Sequence, residues 1–348
     1  MRRSAGAGSA RREKTCYPRL EFVSQSIREA VCGAVDDSTI VVADSHNFPI
    51  VRGLGETVLV AEPHVDTVND IRTGYRYEKV IAVGGCSVLD VGRACAQPGA
   101  LTVFPSILSH SCLSTDRSVL IRDGVRTSSR TVAPVVTVIS KPSVQAAHRG
   151  QGVKWTTSGL GDLFSSFSAS IEWQWPSGAD DRNHLSPIEV TARVPVVRAA
   201  AEWVLGSPGR AGDLDLWSLA RYSHESSLEV LRLGHTRLNA ASEHQLCYRL
   251  QERYPYPADR ATHGRLVSIG TLLVCAMFSR SSSEHDFYRS IRRLYEKSGL
   301  PSDYGGLNRI GVQREHILRG LDDLSGTDCL LGRLYRRYGS GMADDVFG

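Results

Sequence analysis

No apolar stretch of this 348-residue chain approaches the roughly 18–20 residues that cross a bilayer, so no membrane span is expected. Strong charge of one sign is missing too. Against 37 Asp and Glu stand 41 Lys and Arg, a formal net charge of +4, and much of that excess lies in the first 14 residues. A basic face for nucleic acid is therefore not expected. The eight cysteines (Cys16, Cys32, Cys86, Cys95, Cys112, Cys247, Cys275 and Cys329) form no CxxC pair. That absence argues against a disulfide framework and fits a reducing, cytoplasmic setting. The opening MRRSAGAGSARREK lacks the apolar stretch of a signal peptide and reads as a disordered leader over residues 1–15. Neither GxGxxG nor GK[ST] occurs. With 41% hydrophobic, 22% charged and 7% aromatic residues, the composition is that of an ordinary globular protein and names no function.

What is there is a change of texture near residue 150. At about 150 residues per domain, the length suits two domains with ample cores. Before that point, β-branched runs at Thr39–Ala43, Val58–Ala61, Val80–Val83, Leu101–Phe104 and Val135–Ile139 alternate with helical or turn segments. This pattern predicts a parallel sheet covered on both faces. Asp123-Gly124, between two short runs, predicts a hairpin. Beyond 150, Trp155–Trp175, Pro187–Leu205, Gly212–Leu233, Ala240–Arg253, His263–Phe278 and Glu284–Ser298 carry helical spacing. The expectation is a Rossmann-like α/β domain over 16–150 and an all-helical domain over 151–348, with a ligand where the carboxyl edge of the sheet meets the helices.

Two features carry chemistry. In VIAVGGCSVLDVGRACAQ (residues 80–97) an apolar strand runs into Gly84-Gly85, and Ser87 opens a helix with Asp90 one turn in. Paired glycines let a backbone approach a diphosphate, and a helix N-terminus offers free N–H groups and a positive dipole; a tight turn with no ligand reads the same way. The second feature is Asp162, in Gly159-Leu-Gly161-Asp162, with His244 in Ser242-Glu-His and His263 before Gly264. One carboxylate and two imidazoles leave a divalent ion open to substrate, as a catalytic metal requires. Either histidine alone reads better as a surface or satisfied core residue; the glycine- or Ser/Thr-marked helix starts shift that reading toward a ligand.

Together these segments resemble the superfamily of glycerol-1-phosphate dehydrogenases, iron-containing alcohol dehydrogenases and 3-dehydroquinate synthases. The family's GGGxxxDxAK loop is similar to Gly84-Gly85-Cys86-Ser87-Val-Leu-Asp90-Val-Gly-Arg93, and its PTxxSxDG segment to Pro105–Cys112. GxGD and SEH…HG look like Gly159–Asp162 and Ser242–His244 with His263-Gly264, and these last two are most similar to the glycerol-1-phosphate dehydrogenase branch. The resemblance covers about residues 35–320. It implies a dehydroquinate synthase-like fold and a cation (Zn²⁺, Fe²⁺ or Ni²⁺) on Asp162, His244 and His263. It also implies NAD or NADP over Gly84, Gly85, Ser87 and Asp90, with Ser106 and Ser109 nearer the nicotinamide and Asp44 near the adenosine.

Departures from the family pattern fall in the glycine loop and on the substrate side. Cys86 replaces the third glycine, Arg93 the usual lysine, Ser111 the acidic residue of SxDG, and Tyr248 a second histidine. The resemblance implies a metal-dependent, NAD(P)-linked oxidoreductase interconverting a small, phosphorylated alcohol and its ketone or aldehyde, with a homo-oligomer expected. Tyr248 and His110 are the candidate proton donors, and Ser111, Lys154 and Arg117 the candidate substrate contacts. A sugar-phosphate cyclase of the dehydroquinate synthase type, using NAD transiently, is the alternative. A Glu ligand and a basic substrate site would mark it; here the carboxylate is Asp162. A non-catalytic descendant is the third reading.

Overall fold

The computed structural model describes residues 17–151, 153–175, 192, 194–209, 211–257, 259–282 and 285–348. The leader expected over 1–15 lies outside them. The first part runs β1 (Arg19–Val23), α1 (Ile27–Cys32), β2 (Thr39–Ala43), α2 (Phe48–Val51), β3 (Glu56–Leu59), α3 (Val65–Gly74), β4 (Lys79–Gly84), α4 (Cys86–Cys95), β5 (Leu101–Pro105), β6 (Arg117–Arg122), β7 (Val125–Arg130) and β8 (Val136–Ser140). Helices follow: α5 (Lys141–Gln151), α6 (Lys154–Gln174), α7 (Pro195–Gly206), α8 (Leu216–Leu233), α9 (Ser242–Arg253), α10 (His263–Ser282), α11 (His285–Ser298), α12 (Tyr304–Arg309), α13 (Arg314–Ser325), α14 (Leu330–Tyr338) and α15 (Gly341–Phe347).

Six parallel strands form one sheet in the order β1-β8-β5-β4-β2-β3. β2 (TIVVA) is buried at every position. That is why it reads as a continuous apolar run: parallel strands face packed side chains on both sides. Ile40, Val42, Val80, Ala82 and Val103 point to one face with Leu89 of α4. Val41, Ala43, Ile81, Val83 and Phe104 point to the other with Ile27 and Val31 of α1. Each fully buried Val, Leu or Ile contributes about 1.5–3 kcal/mol of hydrophobic stabilisation.

β1 has no counterpart in the sequence reading. Its RLEFV carries two charges and stands at the sheet edge beside β8, so polar residues remain wet and the apolar signal is diluted. The expected hairpin is present. Asp123 (φ 51°) and Gly124 (φ 76°) make its left-handed turn, and β6 and β7 pair antiparallel apart from the main sheet. The Ile121 N–H donates to the Pro63 carbonyl (2.8 Å), and Ser118 Oγ to the Asp90 carbonyl (3.0 Å), which ties the hairpin beside α4.

In the helical part, α6 is buried at every residue from Thr156 to Ile171, with α10 packed along it. Its leucines and phenylalanines join those of α10 and α13 in a large core that also takes Leu108, Leu113 and Ile139 from the sheet side. Of the helix expected over Pro187–Leu205, the described part begins at Pro195; residues 187–191 and 193 lie outside the described residues, as does Glu284. The helix expected from Gly212 starts at Leu216, where the Asp215 carboxylate accepts from the Trp217 and Ser218 N–H groups and caps it. Among the described residues, no helix is long and apolar enough to cross a membrane.

Candidate active site

α6, α9 and α10 bring Asp162, His244 and His263 together: one ligand atom of each lies within 4.8 Å of the others. The Asp162 Oδ1 atom is 3.2 Å from His244 Nε2 and 3.7 Å from His263 Nε2. Ligands around one cation with bonds of about 2.1 Å stand roughly 3.4 Å apart, so the trio fits a divalent ion. Glu243, 0% exposed, accepts from the Ala241 N–H (2.6 Å) and from His244 Nδ1–H (2.8 Å). That bond fixes the His244 tautomer and leaves Nε2 as the ligand atom, as outer-sphere carboxylates do at metal sites. On the other side of Asp162, the Ser111 N–H (2.6 Å) and Oγ–H (2.8 Å) both donate to Oδ2.

Charge follows this geometry. Burial alone would raise the Asp162 carboxyl, but the His244 hydrogen bond, both imidazoles and the Ser111 N–H outweigh it and hold it well below the usual carboxylate range. Burial would lower His244, but hydrogen bonds to Asp162 and Glu243 lift it to about 9. His263 is pushed down to about 4, chiefly by burial, with His244 and Arg126 adding to the effect. A divalent cation bound here would take the place of the proton on His244 and would find in His263 a neutral imidazole already in place.

Two glycines explain why residues so distant in sequence meet. A Cβ on Gly264 would stand 1.7 Å from the Ser158 carbonyl oxygen, and one on Gly161 would stand 2.2 Å from the Gly264 oxygen. α6 and the start of α10 thus touch backbone to backbone, which sets Asp162 against His263. The glycines of GLGD and HG are the spacers that bring this candidate metal cluster together.

At the carboxyl edge of the sheet, Asp44 Oδ1 accepts from the N–H groups of His46 and Asn47 and from Asn47 Nδ2. Its Oδ2 accepts from the Gly85 N–H (3.1 Å). Asn47 Nδ2 donates also to Ser106 Oγ (3.0 Å), so β2, β4 and β5 end on one polar network. Gly84 has φ 153°, and a Cβ there would stand 2.3 Å from Asp44 Oδ2. No side chain caps α4, which leaves its first N–H groups open to a ligand. The uncapped helix behind a side-chain-free turn fits a nucleotide diphosphate.

The segment after β5 joins the two halves. Ser106 meets Asn47, Ser109 lies 3.5 Å from Cys86 Sγ and accepts through its carbonyl from Ser158 Oγ (2.9 Å), and Ser111 meets Asp162. Ser87 stands in the first turn of α4, half-buried.

Other candidates come out differently. Asp90 pairs with the buried Arg93 (2.9 Å), whose other nitrogen donates to the carbonyls of Cys112 and Leu113. Asp90 thus ties α4 to the following segment, and burial lifts its carboxyl to about 6. Ser111, expected at the substrate, instead turns its hydroxyl to Asp162 and positions that carboxylate. Arg117 donates to the Gly234 carbonyl and pairs with Asp116, so it is engaged away from the metal. The Lys154 ammonium stands over the Trp155 ring, 5.2 Å from its centroid. Tyr248 stacks on His263, centroids 6.0 Å apart, and burial pushes its phenol up, so it remains protonated beside the Asp162–His244–His263 cluster.

His110 is buried, and its Nδ1 accepts the Cys112 N–H (3.1 Å). Burial and Arg93 lower it to about 4, so the ring is neutral and Nε2 carries the hydrogen. That Nε2 is buried without a partner among the described residues, a donor left for a ligand. The sequence reading missed Asn47, Glu243 as a positioning carboxylate, and Arg126, which stands over the cleft. Glu243 lies inside the SEH motif and was legible there; Asn47 and Arg126 belong to no motif.

Glu243→Gln is expected to keep the fold, since its oxygen can still accept from His244 while its amide faces the Ser168 hydroxyl. Loss of the negative charge weakens metal retention about 10- to 100-fold, read by chelator competition, with kcat unchanged at saturating metal.

No family model matches the chain. It is similar over 271 residues to a glycerol-1-phosphate dehydrogenase [NAD(P)+] of Sulfurisphaera tokodaii, with 22% identity, 76% of this chain and 71% of the relative covered. A second, of Thermococcus kodakarensis, shares 20% identity over 306 residues, 86% and 77% of the two chains. Among solved structures, a glycerol dehydrogenase from Schizosaccharomyces pombe superposes with a TM-score of 0.63 at 17% identity, covering 94% of this chain and 88% of that one. An iron-containing alcohol dehydrogenase from Corynebacterium glutamicum gives 0.56 at 14% identity, covering 91% and 90%. The chain is therefore built on the fold shared by iron-containing alcohol dehydrogenases and glycerol dehydrogenases, and glycerol-1-phosphate dehydrogenases are its relatives in sequence.

Proposed function

We propose that the chain is a metal-dependent, NAD(P)-linked dehydrogenase that interconverts glycerol 1-phosphate and its ketone, dihydroxyacetone phosphate. The observation that carries this reading is the Asp162–His244–His263 cluster, joined by the Ser106–Ser111 segment to a glycine turn and an uncapped helix. When bound, the nicotinamide supplies or accepts hydride and the divalent cation polarises the carbonyl.

The chain's residues do the rest. Asp162 and the two histidines hold the cation, with Ser111 and Glu243 fixing the directions in which two of them face. His110 offers its unpartnered Nε2–H to an oxygen that gains negative charge, the kind of preset donor that stabilises a transition state. Tyr248, protonated against His263, keeps a phenol available as a proton source at neutral pH. The names of the relatives favour net oxidation or reduction over the cyclase, and the carboxylate at the metal is Asp rather than the Glu usual in cyclases.

Metal-loaded protein is expected to oxidise NADH or NADPH with dihydroxyacetone phosphate, followed at 340 nm. Chelation abolishes the rate, and Zn²⁺, Fe²⁺ or Ni²⁺ restores it. Turnover of a sugar phosphate without net change at 340 nm overturns the reading in favour of the cyclase.

A further inference from the structure

We infer that Arg126, on β7 of the hairpin, anchors the substrate's phosphate and so selects phosphorylated over unphosphorylated ketones; this rests on the dehydrogenase reading above. Between the hairpin and the helices lies a cavity of about 470 Å³ with Arg126 and Ile121 on one wall and Trp155, Tyr254, Thr262 and the metal-side His263 on the others. The guanidinium makes no ion pair or side-chain hydrogen bond among the described residues. Two other arginines of the hairpin are committed: Arg130 pairs with Asp116 (2.8 Å), and Arg117 with Asp116 and the Gly234 carbonyl. The Glu252 carboxylate at the cavity rim is paired with Arg249 (2.9 Å) and does not neutralise Arg126.

Charge and unused polar groups point the same way. Arg126 and His263 line the same cavity, which sets the guanidinium's strand beside the Asp162–His244–His263 cluster. Thr262, 4% exposed, lines the cavity with its Oγ1 buried and unpartnered, and the Tyr254 hydroxyl is in the same condition. Buried polar groups without partners mark a place where a polar ligand belongs. A guanidinium presents a planar fork of donors that matches phosphate oxygens. The Ile121–Pro63 and Ser118–Asp90 bonds fix β6 beside α4, and Arg126 stands opposite Ile121 on the paired strand with an exposed side chain.

The test compares wild type, Arg126→Ala and Arg126→Lys with dihydroxyacetone phosphate and with dihydroxyacetone. For Arg126→Ala the KM for the phosphorylated ketone rises about 10- to 100-fold with kcat nearly unchanged, while kcat/KM for dihydroxyacetone is unmoved. Arg126→Lys recovers part of the loss. Calorimetric titration of dihydroxyacetone phosphate into metal-loaded protein holding oxidised nucleotide, which blocks turnover, shows the same loss of affinity. Equal losses for both ketones, or unchanged phosphate affinity in the alanine variant, overturn the inference. Wild type that turns over neither ketone overturns the dehydrogenase reading instead, and the calorimetric comparison then decides the role of Arg126 alone.

Discussion

Gly264→Ala is expected to leave the protein without its metal and substantially destabilised. The new methyl would stand 1.7 Å from the Ser158 carbonyl oxygen, 2.6 Å from its carbon and 2.9 Å from the Asp162 amide nitrogen. None of these is the end of a flexible side chain, so α6 and α10 must move apart. Overpacking of this kind costs about 3 kcal/mol or more. The displacement acts on the two residues that matter, since Gly264 follows His263 and the atoms it would strike flank Asp162. It also breaks the Gly264 N–H to Ser158 Oγ bond (3.1 Å). Elemental analysis is expected to show well under a tenth of an ion per chain, with a Tm several degrees lower. Gly74→Ala, with open space around the new methyl, is the control and keeps both properties. Full metal content in Gly264→Ala would show that the helix crossing does not set the site.

Much of this was legible in the sequence because the elements concerned are defined by periodicity or by a local turn. β2 was read to the residue; β4 and β5 differ at their ends by one residue or so, and the Asp123-Gly124 hairpin stands where its turn chemistry places it. The GLGD, SEH and HG segments were visible as motifs. What was not visible is why they converge. The crossing of α6 and α10 depends on the absence of side chains at Gly161 and Gly264, and a missing atom carries no pattern until its neighbour is known. Hidden in the same way were the partners of isolated polar residues. Nothing local says that Ser111 turns to Asp162 rather than to a substrate, or that Arg117 is spent on Asp116 and Gly234 while Arg126 faces the cavity. β1 and the helices after residue 300 escaped because edge strands and surface helices keep charges among their apolar positions. α14 (LLGRLYRRY) buries Leu330, Leu331 and Leu334 under a face of arginines that reads as solvated.

The replaced residues act together rather than one by one. In the family's pattern the Asp of SxDG lies near the substrate; here Ser111 stands in its place and lends two donors to Asp162. The cleft would therefore set the Asp162 and Glu243 carboxylates, and no third acidic side chain at position 111, against a divalent cation and Arg126, a balance that would favour an anionic substrate. Cys86 and Cys112, both pushed up to about 12 mainly by burial, remain thiols and add no charge.

Asp162→Asn is expected to abolish metal retention and to lower kcat/KM for the metal-dependent reaction by at least about 10³-fold, an isosteric change with a charge-sized effect. The reason lies in Ser111. Its N–H and hydroxyl both point at Oδ2, and the backbone N–H can only donate, so an asparagine must turn its oxygen toward Ser111. The amide NH₂ then faces His244 and His263, where it offers hydrogens in place of a ligand lone pair. The opposite orientation sets NH₂ against the Ser111 N–H, two donors in contact inside a buried site, and is costlier still. The variant thus loses a negative charge and a ligand together, and His244 loses the carboxylate that, with Glu243, lifts it toward 9. Ser111→Ala tests the same logic from the other side. With the hydroxyl gone but the N–H in place, Asp162 keeps its orientation, and metal affinity falls by about tenfold or less. Metal content near one per chain in Asp162→Asn would mean that the two histidines alone define the site.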